Sequence, residues 1–155
     1  MHPQPSEEEI RPVVQAHLHL EGPLLPILHD LQARFGFIPE AATRVMAEAL
    51  NLSVAEVIGV ISFYHDFRKA PAGRHVLKLC RAEACQSVGS DALAASLLGK
   101  LGVDWHGTTP DGRITVEPVY CLGLCACGPA LMLDGVGHGR VDAPGAIAIL
   151  EEAGV

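Results

Sequence analysis

The sequence predicts an α/β protein (α+β in arrangement) in two parts: an N-terminal helical bundle over residues 1–72, then a small domain with a mixed sheet over 73–155. Three observations lead there. Apolar residues recur at helical spacing through the first half, where two Ser-x-x-Glu boxes mark helix starts. Past PAG at 71–73 the texture changes to short β-branched runs bounded by turn residues. Two of those runs lead directly into a pair of cysteines. With 155 residues, 49% of them apolar, the chain can bury one ordinary domain or a small domain with a helical appendage; two full-sized domains would not fit.

Ser6 and Glu9 form the first capping box, and Ile10, Val13, Val14 and Leu18 line one face of a helix expected over 6–20. A second helix starts near Pro23, tolerates Pro26 in its first turn, and aligns Leu24, Leu28, Leu31 and Phe35 before Gly36 stops it. Pro39 is expected as the first residue of a third helix, whose stripe is Val45, Met46, Ala49 and Leu50. Ser53 and Glu56 cap a fourth, running through Val57, Val60, Ile61 and Tyr64.

HVLKL at 75–79 suits a buried strand that ends at Cys80. The Ala- and Leu-rich segment 88–102 predicts a helix with Leu93, Leu97 and Leu98 inward. After PDG at 110–112, RITVEPV at 113–119 is a second strand, just before Cys121. A hairpin is expected from ALMLD (130–134) and HGRV (138–141) around GVG at 135–137, and Pro144 opens a last helix over Ile147 and Leu150. Strand, helix, strand, hairpin, helix is the general layout of a thioredoxin-like fold.

The formal net charge is −7 and no Lys/Arg run occurs, so nucleic acid and anionic membranes are not expected partners. MHPQPSEEEI lacks the basic-then-apolar plan of a signal peptide, and no apolar run approaches the roughly 20 residues of a bilayer span. A cytoplasmic protein with no membrane contact of its own is the expectation.

In a reducing cytosol, closely paired cysteines point to metal or redox chemistry before structural disulfides. Cys80 and Cys85 form C-x4-C after the first strand; Cys121 and Cys125 form C-x3-C after the second. A connecting helix makes the two strands parallel, so both cysteine loops leave the same end of the sheet and four thiolates can converge. Two loops with two thiolates each suit a [2Fe-2S] cluster, in which each iron takes two protein sulfurs. Small residues, Ala82, Ala84, Gly123, Ala126 and Gly128, would let the loops wrap closely and aim N–H groups at sulfur. Arg81 has two readings, offsetting the cluster's charge or standing solvated at the surface. Four thiolates would also satisfy a structural zinc, usually held by C-x2-C knuckles. Disulfides and a thioredoxin-type dithiol are the remaining readings, the latter without any C-x-x-C to support it.

Elsewhere the chemistry is sparse. His65 and Asp66, in FYHDFR, are adjacent on a helix and do not face each other, so packing or subunit contact is expected of them. His17 and His19 fall on different helix faces. GVGHG at 135–139 mimics part of a dinucleotide fingerprint but opens no helix, and is read as turn glycine. No phosphate-binding or serine-hydrolase motif occurs.

The runs LLPILHDLQARFGFIPEAA, ALNLSVAEVIGVISFYHDFR, GRHVLKLCRAEACQSVG and EPVYCLGLCACGPA resemble the small thioredoxin-like [2Fe-2S] subunit of respiratory complex I, NAD-reducing hydrogenases and soluble NAD-dependent formate dehydrogenases. The likeness extends from about Leu24 to Leu150. It implies that Cys80, Cys85, Cys121 and Cys125 hold a [2Fe-2S] cluster. It further implies an FMN- and NAD-binding flavoprotein partner, further iron–sulfur subunits in the same complex, and single-electron transfer with no bond chemistry on this chain. Cys127 departs from the complex I pattern. CLGLCACGPA and the short length are most similar to the gamma subunit of the soluble, molybdenum-containing, NAD-dependent formate dehydrogenase, and Cys127 is expected near the cluster but not on it.

Overall fold

The computed structural model describes residues 4–154. The chain divides into two compact units, Met1–Pro71 and Ala72–Val155.

The first unit consists of α1 (Glu7–His17), α2 (Leu24–Phe35), α3 (Glu40–Leu50) and α4 (Val54–Phe63). Both capping boxes form as the sequence predicts: the Glu9 carboxylate accepts from the Ser6 N–H at 2.8 Å, and Glu56 does the same for Ser53. Helix α1 lies against α2 and α3, and α3 lies against α4. Their apolar stripes bury Ile10, Val14, Ile27, Leu28, Leu31, Met46 and Val57.

Two helix ends differ from the sequence expectation. Helix α1 stops at His17, where the Leu18 N–H turns to Gln15 in a tightened last turn and Gly22-Pro23 bars continuation. Pro39 is the N-cap of α3 and not its first residue; its backbone is extended (φ −62°, ψ 143°) and the helix begins at Glu40. Proline fits either position, because neither N–H is used inside the helix.

The second unit contains β1 (His75–Cys80), α5 (Glu83–Gln86), α6 (Ser90–Leu101), β2 (Ile114–Val119), β3 (Leu131–Leu133), β4 (Val136–His138) and α7 (Ala143–Glu152). Strand order is β2-β1-β3-β4. The β1/β2 pair is parallel, in register from His75 opposite Ile114 to Cys80 opposite Val119, whereas β3 and β4 add on antiparallel. Helix α6 packs on β1 and α7, enclosing Leu77, Leu97, Ile114, Val116, Leu131 and Ala146. This is the mixed α/β fold the sequence predicts.

The hairpin is displaced from its expected place. Its turn is Asp134-Gly135, both at positive φ (50° and 86°), so β4 starts at Val136 and ends at His138, and residues 139–141 are not strand. Asp-Gly is a preferred pair for two-residue connections that need two positive φ values, which is why the chain turns here and not at the glycines that follow. Gly137 is accordingly a strand residue opposite Met132 and not a turn residue. The single turn α5 and the cap of α7, Asp142 accepting from the Gly145 N–H at 2.8 Å, also lie outside the sequence expectation.

Candidate iron–sulfur site

Strand β1 ends on Cys80 and β2 on Val119, its partner in the parallel register. Both chains therefore leave the sheet on one side, at its carboxyl end. After β1 the chain turns through Ala82 into α5, whose Cys85 N–H bonds the Ala82 carbonyl and whose Cys85 side chain returns to Cys80. Cys80 and Cys85 are buried with Ala130 in a small apolar cluster flanked by Ala82, Val119, Leu122 and Leu124.

After β2 the chain reverses abruptly. Cys121 sits at φ 114°, which residues with a side chain rarely adopt, and Gly123 follows at φ 76°. The reversal lets the Gly123 N–H donate to Cys121 Sγ at 3.3 Å. Cys125 opens a short 3-10 turn, Cys125–Cys127, and its Sγ lies 3.5 Å from that of Cys121. Both of these sulfurs are on exposed residues.

The two pairs interact electrically. Burial raises the Cys85 thiol above its ordinary range, helped by its hydrogen bond with Cys80 and by the charges of Cys80 and Cys125, against a backbone hydrogen bond from Ala130. Cys121 is lowered, first by the Gly123 N–H and then by the Cys125 thiol. Cys125 is raised because it donates to Cys121 and meets the negative charge there, with Cys80 adding to the effect. Between the pairs the effects are secondary: Cys125 adds to the rise at Cys85, and Cys80 to the rise at Cys125. Among the described residues no three or more His, Cys, Asp or Glu side chains converge on one metal position. The thiols stand as two pairs.

Cys127 is half-buried, and its backbone is fixed on both sides: its N–H donates to Leu124, and its carbonyl accepts from the Arg140 N–H. Arg81 lies over the Trp105 ring, 5.1 Å from its centre, with Nε 3.6 Å from the Asp91 carboxylate. In the other unit, His65 and Asp66 lie in the turn after α4 and not on a helix as the sequence suggests; both are exposed, and the Asp66 backbone carbonyl accepts from Gln32 at 2.7 Å.

The profile of the thioredoxin-like [2Fe-2S] ferredoxin family matches residues 10–154. The chain belongs to that family. It is 34% identical over 149 residues to one of the NADH-quinone oxidoreductase subunits of Pseudomonas aeruginosa, covering 94% of this chain and 90% of that relative. It is 32% identical over 139 residues to the HndA subunit of the NADP-reducing hydrogenase of Solidesulfovibrio fructosivorans, covering 90% and 81%. A crystal structure of NAD+-reducing [NiFe]-hydrogenase in the H2-reduced state superposes with a TM-score of 0.67 at 29% identity. That match covers 83% of this chain and 22% of the hydrogenase chain, so this protein corresponds to a small part of the larger polypeptide.

The residues present fit the family's [2Fe-2S] group. Two pairs of free cysteines, Cys80 with Cys85 and Cys121 with Cys125, are present, and four sulfurs in two pairs are what two irons with bridging sulfides require. Backbone also approaches sulfur closely: a Cβ on Gly128 would stand 3.4 Å from Cys85 Sγ, and the Gly123 N–H already points at Cys121 Sγ.

Proposed function

We propose that Cys80, Cys85, Cys121 and Cys125 hold one [2Fe-2S] cluster and that the chain is an electron-transfer subunit of a multi-subunit, NAD-linked oxidoreductase. The observation that supports this reading is that the two cysteine pairs follow the same, carboxyl end of the parallel strands β1 and β2, with Cys80 opposite Val119 on the last rung. When bound, such a cluster takes up and gives back one electron at a time. Burial of Cys80 and Cys85 supplies a low-dielectric side, and the Gly123 N–H stabilises negative charge on Cys121. The exposed Cys121 and Cys125 put the other side within reach of a partner. No proton transfer or nucleophile is required of this chain.

The cluster domain is then residues 73–155, with 1–72 as a helical appendage, and the partner is a flavoprotein that binds FMN and NAD beside further iron–sulfur subunits. Among parent complexes the reading favours the gamma subunit of a soluble NAD-dependent formate dehydrogenase, supported by CLGLCACGPA with its extra Cys127. The likeness to subunits of NADH-quinone oxidoreductase and of hydrogenases favours the second reading, the equivalent subunit of one of those complexes. A cytoplasmic location is part of the same proposal; no described helix is long and apolar enough to cross a membrane.

Anaerobic purification of the full chain tests the cluster. Two irons and two sulfides per chain, visible absorption and an EPR signal on reduction are expected; zinc without iron, and no colour, would overturn it. Purifying the intact complex through this chain tests the parent. Formate-dependent NAD+ reduction supports the first reading, and activity with NADH and quinone, or with hydrogen, supports the second.

A further inference from the structure

Gly139 lies outside every cysteine motif, on the exit from β4, and is exposed to solvent. Its φ is outside the left-handed region, so nothing in its own backbone calls for glycine. Its neighbourhood does. A Cβ at 139 would stand 2.8 Å from Cys127 Cβ and 2.9 Å from the Cys127 carbonyl oxygen, closer than real Cβ atoms come to backbone. The next residue, Arg140, carries the unusual backbone instead, at φ 53°, and from there its N–H donates to that same Cys127 carbonyl. The Val141 N–H then bonds Pro129 at 3.0 Å. Residues 139–141 thus run tight along 127–129, the segment that continues the loop bearing Cys121 and Cys125.

We propose that Gly139 is a positioning residue for the cluster: its missing side chain lets residues 139–141 clasp the second cysteine loop and fix Cys125 opposite Cys121. The inference rests on the cluster reading above. A methyl group at 139 must push the Cys127 backbone outward, because the atoms it meets are a carbonyl and a Cβ and not the end of a flexible side chain. Cys125, two residues upstream at the start of the same 3-10 turn, moves with it. Arg140 holds a left-handed conformation that a non-glycine residue adopts at a cost, and the hydrogen bond to Cys127 keeps it there.

The test uses the full-length, cluster-loaded chain as wild type, Gly139→Ala and Gly139→Ala with Cys127→Gly. Wild-type iron content and EPR come first, and their failure would strike the cluster reading and not the clasp. Loss of cluster to a chelator is then followed by visible absorption, the g values are compared, and iron-free chains are checked by far-UV circular dichroism. Gly139→Ala is expected to lose its cluster roughly tenfold faster, with shifted g values and an intact iron-free fold. The double variant removes the Cβ that the new methyl meets and is expected to recover part of the loss, which also decides the matter should Gly139→Ala alone fold poorly. Unchanged chelation kinetics and g values in Gly139→Ala, or no recovery in the double variant, would overturn the proposal.

Discussion

Cys80 and Val119 face each other on the last rung of the parallel β1/β2 pair. Every cysteine of the candidate site is placed by that rung: Cys80 occupies it, Cys85 returns to it through α5, and Cys121 follows it by two residues. Cys125 is drawn in by the reversal at Cys121 and Gly123.

The rung sets apart the two crowded thiols of the second loop. Cys125 Sγ is 3.5 Å from Cys121 Sγ, whereas Cys127 is committed through its backbone to Leu124 and Arg140. Cys125→Ala should deplete iron in the purified chain, and Cys127→Ala should leave the iron-to-protein ratio at the wild-type value. The reverse result, read by iron analysis and EPR, would move the ligand to Cys127.

Exposure separates the pairs once iron is removed. Cys121 and Cys125 are open to solvent, and Cys80 and Cys85 are buried. Brief treatment of iron-free protein with iodoacetamide should label Cys121 and Cys125 first. Peptide mass spectrometry reads the order; equal labelling of Cys80 and Cys85 would show that the first pair is not enclosed. With the cluster in place all four should resist.

His75 and Asp134 join the far end of β1 to the hairpin turn, Nδ1 to Oδ2, at 2.7 Å. At Asp134 burial favours the neutral acid, but hydrogen bonds from His75 and from the Val76 N–H, with the His75 charge, outweigh it and hold the carboxyl below its usual range. A lowered folded pKa means stability that is complete above the unfolded carboxyl value of about 3.9 and is lost as pH falls through the folded value. Asp134→Asn keeps a residue that tolerates the positive φ while removing the charge. Urea midpoints across the acid range should therefore fall less steeply in Asp134→Asn than in wild type, from a lower value at neutral pH. Parallel acid slopes would dismiss the pair.

Leu77 is fully buried in the central strand, opposite Val116 on one side and Leu133 on the other. Leu77→Ala should cost about 2–5 kcal/mol in urea unfolding, since neither neighbour can collapse into the gap without shifting the sheet.

Ser53 caps α4 at an exposed end, accepting from the Glu56 N–H at 3.2 Å. Ser53→Ala should cost about 1 kcal/mol by the same measurement. It should leave iron content unchanged.

Much of the fold is legible in the sequence because it is written locally. Two Ser-x-x-Glu boxes start α1 and α4 where the structure has them, and β-branched runs locate β1 and β2 to within a residue. The parallel pairing needs only a helix between the strands. What escapes reading is set by geometry between distant residues. Cys121 reaches φ 114° through its surroundings and not through its residue type, and α5 is a single turn with no room for periodicity. Gly139 looks like any turn glycine until Cys127 is seen behind it. The Asp134-Gly135 turn is legible, but the glycines after it draw the expected loop toward the C-terminus.

Strand β1 lies between β2 and β3, both of which follow it in the chain. During synthesis, then, His75–Cys80 leaves the ribosome with neither of its neighbours yet made, and it stays without its full set of partners until Leu131–Leu133 has emerged. The helices of the first unit meet near neighbours in sequence and can close early. Cys80 and Cys85 are therefore born uncovered, and the burial that marks them in the finished protein comes only after both cysteines of the second pair are also present. The order of manufacture itself keeps the first pair open until its counterpart arrives.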